Sequence, residues 1–209
     1  MSARDNILKR LRAAATPFTD LEPITERREM VPMDGVDLVE RFAQKAEALS
    51  ASVYRPETES AAIDTILSLL GTDEQVLAWD FAHIPLPSLQ TSLESKNIAV
   101  ADPRDSQVRV GITGVDAALA ATGSIVVSAR LGRPRSVSLL PTVHIAVLTP
   151  DQIMPHFDAW IAAQSAQAQD FRAVGNHIVV TGASRTADIG MELVLGAHGP
   201  AELHVVILG

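Results

Sequence analysis

The sequence predicts an α/β fold: an open, mostly parallel sheet covered by helices on both faces, preceded by an N-terminal helical arm. Three observations carry this. Helical and strand patterns alternate along the first half of the chain. The second half holds the β-branched runs SIVVS (124–128), VHIAVL (143–148), HIVVT (177–181) and LHVVIL (203–208). Apolar residues are nearly continuous in these runs, as in strands buried on both faces.

Ser2 followed by Asp5 resembles a capping arrangement, and Ile7, Leu8 and Leu11 then share one face opposite arginines, which predicts a short basic amphipathic helix. Pro17, Pro23 and Pro32 with dense charge between Thr16 and Asp34 read as a connecting arm. The expected division is therefore an arm, residues 1–35, and one α/β domain, residues 36–209. Val36, Val39, Ala43, Ala46 and Leu49 recur at helical steps. Ala51–Tyr54 is a strand, and Thr58 caps a helix running to Leu70 that Gly71 closes. Gln75–Trp79 and Ile98–Ala101 are further strands. Asp151–Ala168 is predicted as a helix with Pro155 near its start.

Composition excludes several classes. The 209 residues include no cysteine, so this chain holds no disulfide, thiolate nucleophile or cysteine-ligated cluster. The net charge of −8 argues against an extended nucleic-acid surface. Residues 1–105 carry a net −7 and residues 106–209 a net −1, so the charge-poor half holds most of the buried strands. No apolar run reaches the ~18 residues of a membrane span. Met1–Ala15 lacks the apolar core of a signal peptide, which points to a cytoplasmic chain. No H-E-x-x-H or similar spacing suggests a metal site.

Two polar, glycine-bearing segments lie beside buried strands, where open α/β sheets place ligands. In GITGVDAALAATGSIVVS (111–128), Asp116 sits among apolar residues, so it is protonated, bonded or active. Thr122, Gly123 and Ser124 form either a tight turn or a binding loop. In TGASRTADIGMELVLGAHGPAELH (181–204), Gly182, Ser184, Arg185 and Thr186 suggest an anion site at a helix start. The alternative is that Ser184 or Thr186 merely caps that helix and Asp188 faces its dipole. His198, next to Gly199, is either a proton donor or a loop histidine bonded to backbone. His144 and His204, inside apolar strands, read as satisfied core histidines. Arg130, Arg133 and Arg135 form a basic hairpin loop, either solvated or attracting an anionic ligand or a partner's acidic patch.

These same residues resemble the LUD-domain family of the lactate utilisation protein C type. In that family T-G-P-S-R-T-A-D-I precedes a helix and then L-G-x-H-G-P; here the stretch is TGASRTADIGMELVLGAHGP. GITGVDAALAATGSIVV with SLLPTVHIAVL is similar to the family's central block. The likeness is strong over Arg109–Gly209 and looser over Val36–Ala101. Ala183, Gly190 and Ala121 depart from the usual proline, glutamate and acidic residue. The resemblance implies the sheet-and-helix fold of ribose-5-phosphate isomerase and the CoA transferases. It also implies work beside iron–sulfur subunits that oxidise lactate to pyruvate, with this chain as an accessory or regulatory subunit.

The alternative is an enzyme or binder for a small anionic metabolite: a sugar phosphate, organic acid or CoA ester. Its anion contacts are Thr122, Gly123, Ser124, Gly182, Ser184, Arg185, Thr186 and Gly199, and its acid–base candidates are Asp116, Asp188 and His198. A glutamyl thioester is disfavoured, because Glu192 is the one glutamate of the stretch TGASRTADIGMELVLGAHGP and none falls in 111–128.

Overall fold

The computed structural model describes residues 2–14, 32–165, 174–187 and 193–209. They fall into two compact units, Met1–Pro32 and Met33–Gly209. The first contains α1 (Ala3–Ala14). Ser2 and Asp5 cap it reciprocally: the Asp5 amide donates to Ser2 Oγ at 3.2 Å, and the Ser2 amide donates to Asp5 Oδ2 at 3.0 Å. These bonds hold the Asp5 carboxyl below its usual range. Ile7 and Leu11 are exposed on this helix.

In the second unit, α2 (Leu38–Glu47) starts at Asp37, whose carboxylate accepts from the Val39 and Glu40 amides. The helix buries Phe42, Ala43 and Ala46. After β1 (Ala51–Tyr54), Thr58 caps α3 (Glu59–Leu70) as expected. The far end of α3 is held by Arg109, which donates to the Leu69 and Leu70 carbonyls and pairs with Asp73 at 2.7 Å. β2 (Gln75–Ala78), α4 (Leu89–Ser95) and β3 (Ala99–Val100) complete the first half. The rest comprises β4 (Val110–Thr113), β5 (Ala117–Leu119), β6 (Ser124–Ser128), β7 (Val143–Leu148), β8 (Ile153–Met154), α5 (Phe157–Ser165), β9 (His177–Val180), β10 (Arg185–Ala187), β11 (Leu193–Leu195) and β12 (Glu202–Ile207).

The expected α/β class holds. Six strands in the order β1-β12-β7-β4-β2-β3 make one sheet, and all of its pairings are parallel. β7 is buried along its whole length. A second, mixed sheet, β8-β5-β6-β9, was not expected as a separate layer. One set of its side chains, Ala118, Ile125 and Val127, joins the main core with Phe42 and Ala46. The opposite set, Ala117, Leu119 and Val126, packs on Trp160 of α5. The cover of the central sheet is therefore part helix and part sheet.

Two expected helices change. Asp151–Ala168 opens instead as a 3-10 turn (Pro150–Gln152) and β8, and α5 begins only at Phe157. Pro155 explains this, since proline lacks an amide and keeps its predecessor out of the α region. Residues 166–168 lie outside the described residues. The helix expected after Ser184 is replaced over Arg185–Ala187 by β10, which pairs antiparallel with β11. Arg130 and Arg133 do bridge across a tight turn, as the hairpin reading expects.

Trp160 is 2% exposed and fills the space between α5 and the second sheet. Trp160→Ala is expected to cost about 3–5 kcal/mol, as for other large-to-small aromatic changes in cores. Urea unfolding measures it; a loss under 1 kcal/mol would show that α5 does not depend on this contact.

Candidate functional site

A cavity of about 440 Å³ lies where the end of β9 and the loop after it pass the central sheet. Its walls include Leu49, Leu139, Ile178, Val180 and Leu203. Ser184, Arg185 and His198 also line it, and Arg185 and His198 are exposed. The loop takes its shape from local constraints. Gly182 has φ +79°, and a β-carbon there would collide with the backbone carbonyl of Leu49. The Ser184 amide donates to the Pro200 carbonyl at 2.8 Å, and the Gly196 amide donates to the Ser184 carbonyl at 2.9 Å. These bonds tie the two ends of the TGASR…HGP segment together. Arg185 donates to the hydroxyl of Ser50, just beyond α2.

The sequence reading places this site at a helix N-terminus. Among the described residues no helix starts there, so the anion-binding argument from a helix dipole falls away. The remaining positive group is the Arg185 guanidinium itself, the one lysine or arginine of the described lining.

His144 closes the buried side. It lines the cavity and is 1% exposed. Its Nε2 is hydrogen-bonded to Thr113 Oγ1 at 2.8 Å, and its Nδ1 has no partner among the described residues. Burial pushes its pKa down to about 4, so the ring is neutral at pH 7. The core-histidine reading is therefore half right: the ring is buried, but one nitrogen is left over. The only sequence signal was a lone polar residue in a fully apolar strand, which does not separate the two cases.

The other predicted residues divide. Thr122 Oγ1, Ser124 Oγ and Thr181 Oγ1 form a hydroxyl chain with steps of 2.7 and 2.9 Å. Thr181 lines the cavity; Thr122 and Ser124 do not, so they support the loop from behind. Gly123, at φ +69°, lets the turn touch the backbone of α2 at Lys45 and Ala46. That is a packing reason for glycine. Thr186 pairs with Val194 in the β10–β11 ribbon, outside the lining. Gly199 lines the cavity beside Ser184. Asp188 and Glu192 lie outside the described residues.

Asp116 belongs elsewhere. It pairs with Arg133 at 2.8 Å, and their side chains are 12% and 20% exposed. The Arg133 guanidinium lies 5.3 Å from the Trp79 ring centre, and its Nη2 is 3.3 Å from His83 Nδ1. This cluster follows the carboxyl ends of β2 and β4, whereas the cavity adjoins the amino ends of β7 and β12. Asp116 and Arg185 share no cavity. His204 is satisfied by Tyr54 and Glu202, each at 3.1 Å, as a core histidine is expected to be. Among the described residues no cluster of His, Asp and Glu is placed to hold a metal ion. No described helix is long and apolar enough to cross a membrane.

The LUD domain family model matches residues 39–208. Lactate utilization protein C of Exiguobacterium sp. is 27% identical over 98% of this chain and 95% of its own length. The protein of that name from Bacillus velezensis is 34% identical over 68% of this chain and 56% of its own length. That of Macrococcus caseolyticus is 36% identical over 54% and 48%. The chain thus spans about half the length of the last two relatives. A crystal structure of a DUF162 family protein from Deinococcus radiodurans superposes with a TM-score of 0.61 and 21% identity, over 85% of this chain and all of that one. That likeness shows a shared fold.

Holding a neutral histidine in a dry site has a pH consequence. Unfolding raises the His144 pKa from about 4 to its ordinary 6.5, so the unfolded chain binds more protons between these values. Stability is therefore expected to fall as pH drops from about 6.5 toward 4, by at most about 1.4 kcal/mol per pH unit from this group. Urea midpoints at pH 7, 6 and 5 measure it. A folded His144→Gln variant should fall less steeply; the same slope in both would assign the effect to other groups.

Proposed function

This chain belongs to the LUD-domain family, and on that premise we propose that it serves lactate utilisation as an accessory subunit that binds a small anionic metabolite. The lactate role comes from the relatives' names. The anion reading rests on one observation: Arg185 and His198 stand exposed, with half-buried Ser184, at a cavity whose other walls are largely apolar. An arginine there offers a bidentate, charge-assisted grip that a carboxylate or phosphate matches. Of the three acid–base candidates, His198 alone among the described residues lines this cavity, so binding is the better-supported task.

Oxidising lactate to pyruvate removes two electrons and two protons, so the assembly needs an electron acceptor. This chain has no cysteine with which to ligate an iron–sulfur cluster. On this reading clusters are carried by partner proteins. The arginines at 130, 133 and 135 are the candidate docking loop, with Arg133 already engaged by Asp116.

A thermal-shift screen against lactate, pyruvate, sugar phosphates and CoA esters tests the binding. A ligand at 100 times its Kd stabilises by about 2.7 kcal/mol. Arg185→Ala is expected to cut this to about 1.4 kcal/mol at the same ligand concentration, and an undiminished shift in that variant would move the site elsewhere. Native pull-down is expected to recover iron–sulfur proteins with the chain; a solitary chain would refute the partner reading.

A further inference from the structure

Size and polarity narrow the ligand further. The cavity's 440 Å³ falls within the range of about 300–1,000 Å³ typical of small-molecule sites. Lactate has only six non-hydrogen atoms. Cavities of this size suit ligands far larger than a three-carbon acid. The lining is also asymmetric. Arg185 and His198 are exposed, while Leu203 and His144 are buried. Leu49, Leu139, Ile178 and Val180 add further apolar surface. His144 is neutral at pH 7, and its unpartnered Nδ1 is the one orphaned buried side-chain atom among the described lining residues. The buried side therefore carries no charge and offers only uncharged polar groups, His144 Nδ1 and the Ser138 hydroxyl, which itself donates to the Arg135 carbonyl. A ligand that fills it must be uncharged at that end.

Accepting the anion-binding reading above, we propose that the cavity takes an amphipathic monocarboxylate larger than lactate. Its carboxylate meets Arg185 and His198, and its apolar body lies along Leu49, Leu139, Ile178, Val180 and Leu203. One fixed positive charge in the lining matches one negative charge on the ligand, and the apolar wall supplies affinity in proportion to the hydrocarbon it covers. Lactate and pyruvate then occupy only the charged end and bind weakly.

The test uses straight-chain carboxylates from acetate to octanoate, titrated calorimetrically into the full-length protein. Affinity is expected to rise about four-fold with each added methylene that is buried. Leu139→Asn, which removes apolar surface without adding charge, is expected to weaken octanoate on the order of ten-fold and to leave acetate unchanged. Arg185→Ala is expected to weaken every member by about ten-fold. Both positions are exposed, so neither change empties the core. A flat series that still depends on Arg185 would overturn the amphipathic ligand and leave the anion site standing. A series that ignores Arg185 would remove the anion site as well. A chain-length rise unaffected by Leu139→Asn would place the hydrocarbon outside this cavity and overturn the proposal.

Discussion

The position of β12 constrains everything around the site. This last strand lies between β1 and β7, in parallel with both. Its side chains from Leu203 to Ile207 are buried, so the central core is incomplete until the C-terminus is in place. Parallel neighbours cannot be joined by a tight turn, so the chain must approach β12 from its amino end. Upstream of the β10–β11 ribbon that precedes β12 comes β9, which belongs to the other sheet. The segment between them therefore has to cross from one sheet to the other at the amino ends of β7 and β12. The cavity lies in this crossing. Gly182 grazing Leu49, and Ser184 bonded to Pro200, are what hold the crossing in shape.

That topology separates two polar groups that seem alike in composition. Asp116 and Arg133 meet beyond the carboxyl ends of β2 and β4, where a doubly covered parallel sheet most often places its ligands. There they neutralise one another against Trp79 and His83, and the pair is mostly buried. Ser184, Arg185 and His198 collect at the opposite end, where no carboxylate among the described residues lines the cavity. Among the described lining residues, the one guanidinium, Arg185, has no carboxylate beside it. The neutral His144 behind it follows from the same burial that closes the core: a ring flanked by apolar strands takes up no second proton at pH 7.

On the proposed function, the consequence is a division of labour: this cysteine-free chain contributes recognition, and electron transfer falls to partners. A cavity with one charged end and an apolar wall suits that proposed recognition task.

The sequence by itself determined the local elements. Asp37 and Thr58 mark helix starts, Gly71 a helix end, and the β-branched runs the buried strands, because capping bonds and strand burial depend on residues close in the chain. It also marked Ser184, Arg185, His198 and Gly199 as one polar segment, and these do share the cavity. Only tertiary structure decided which sheet each strand joins: SIVVS and HIVVT look like VHIAVL but pair with each other in the second layer. Only tertiary structure put Asp116 with Arg133 rather than Arg185, made Arg185–Ala187 a strand, and turned His144 toward both Thr113 and the cavity. Strand pairing and ion pairing join residues far apart in sequence, and a periodic pattern records which face of an element is buried but not what buries it.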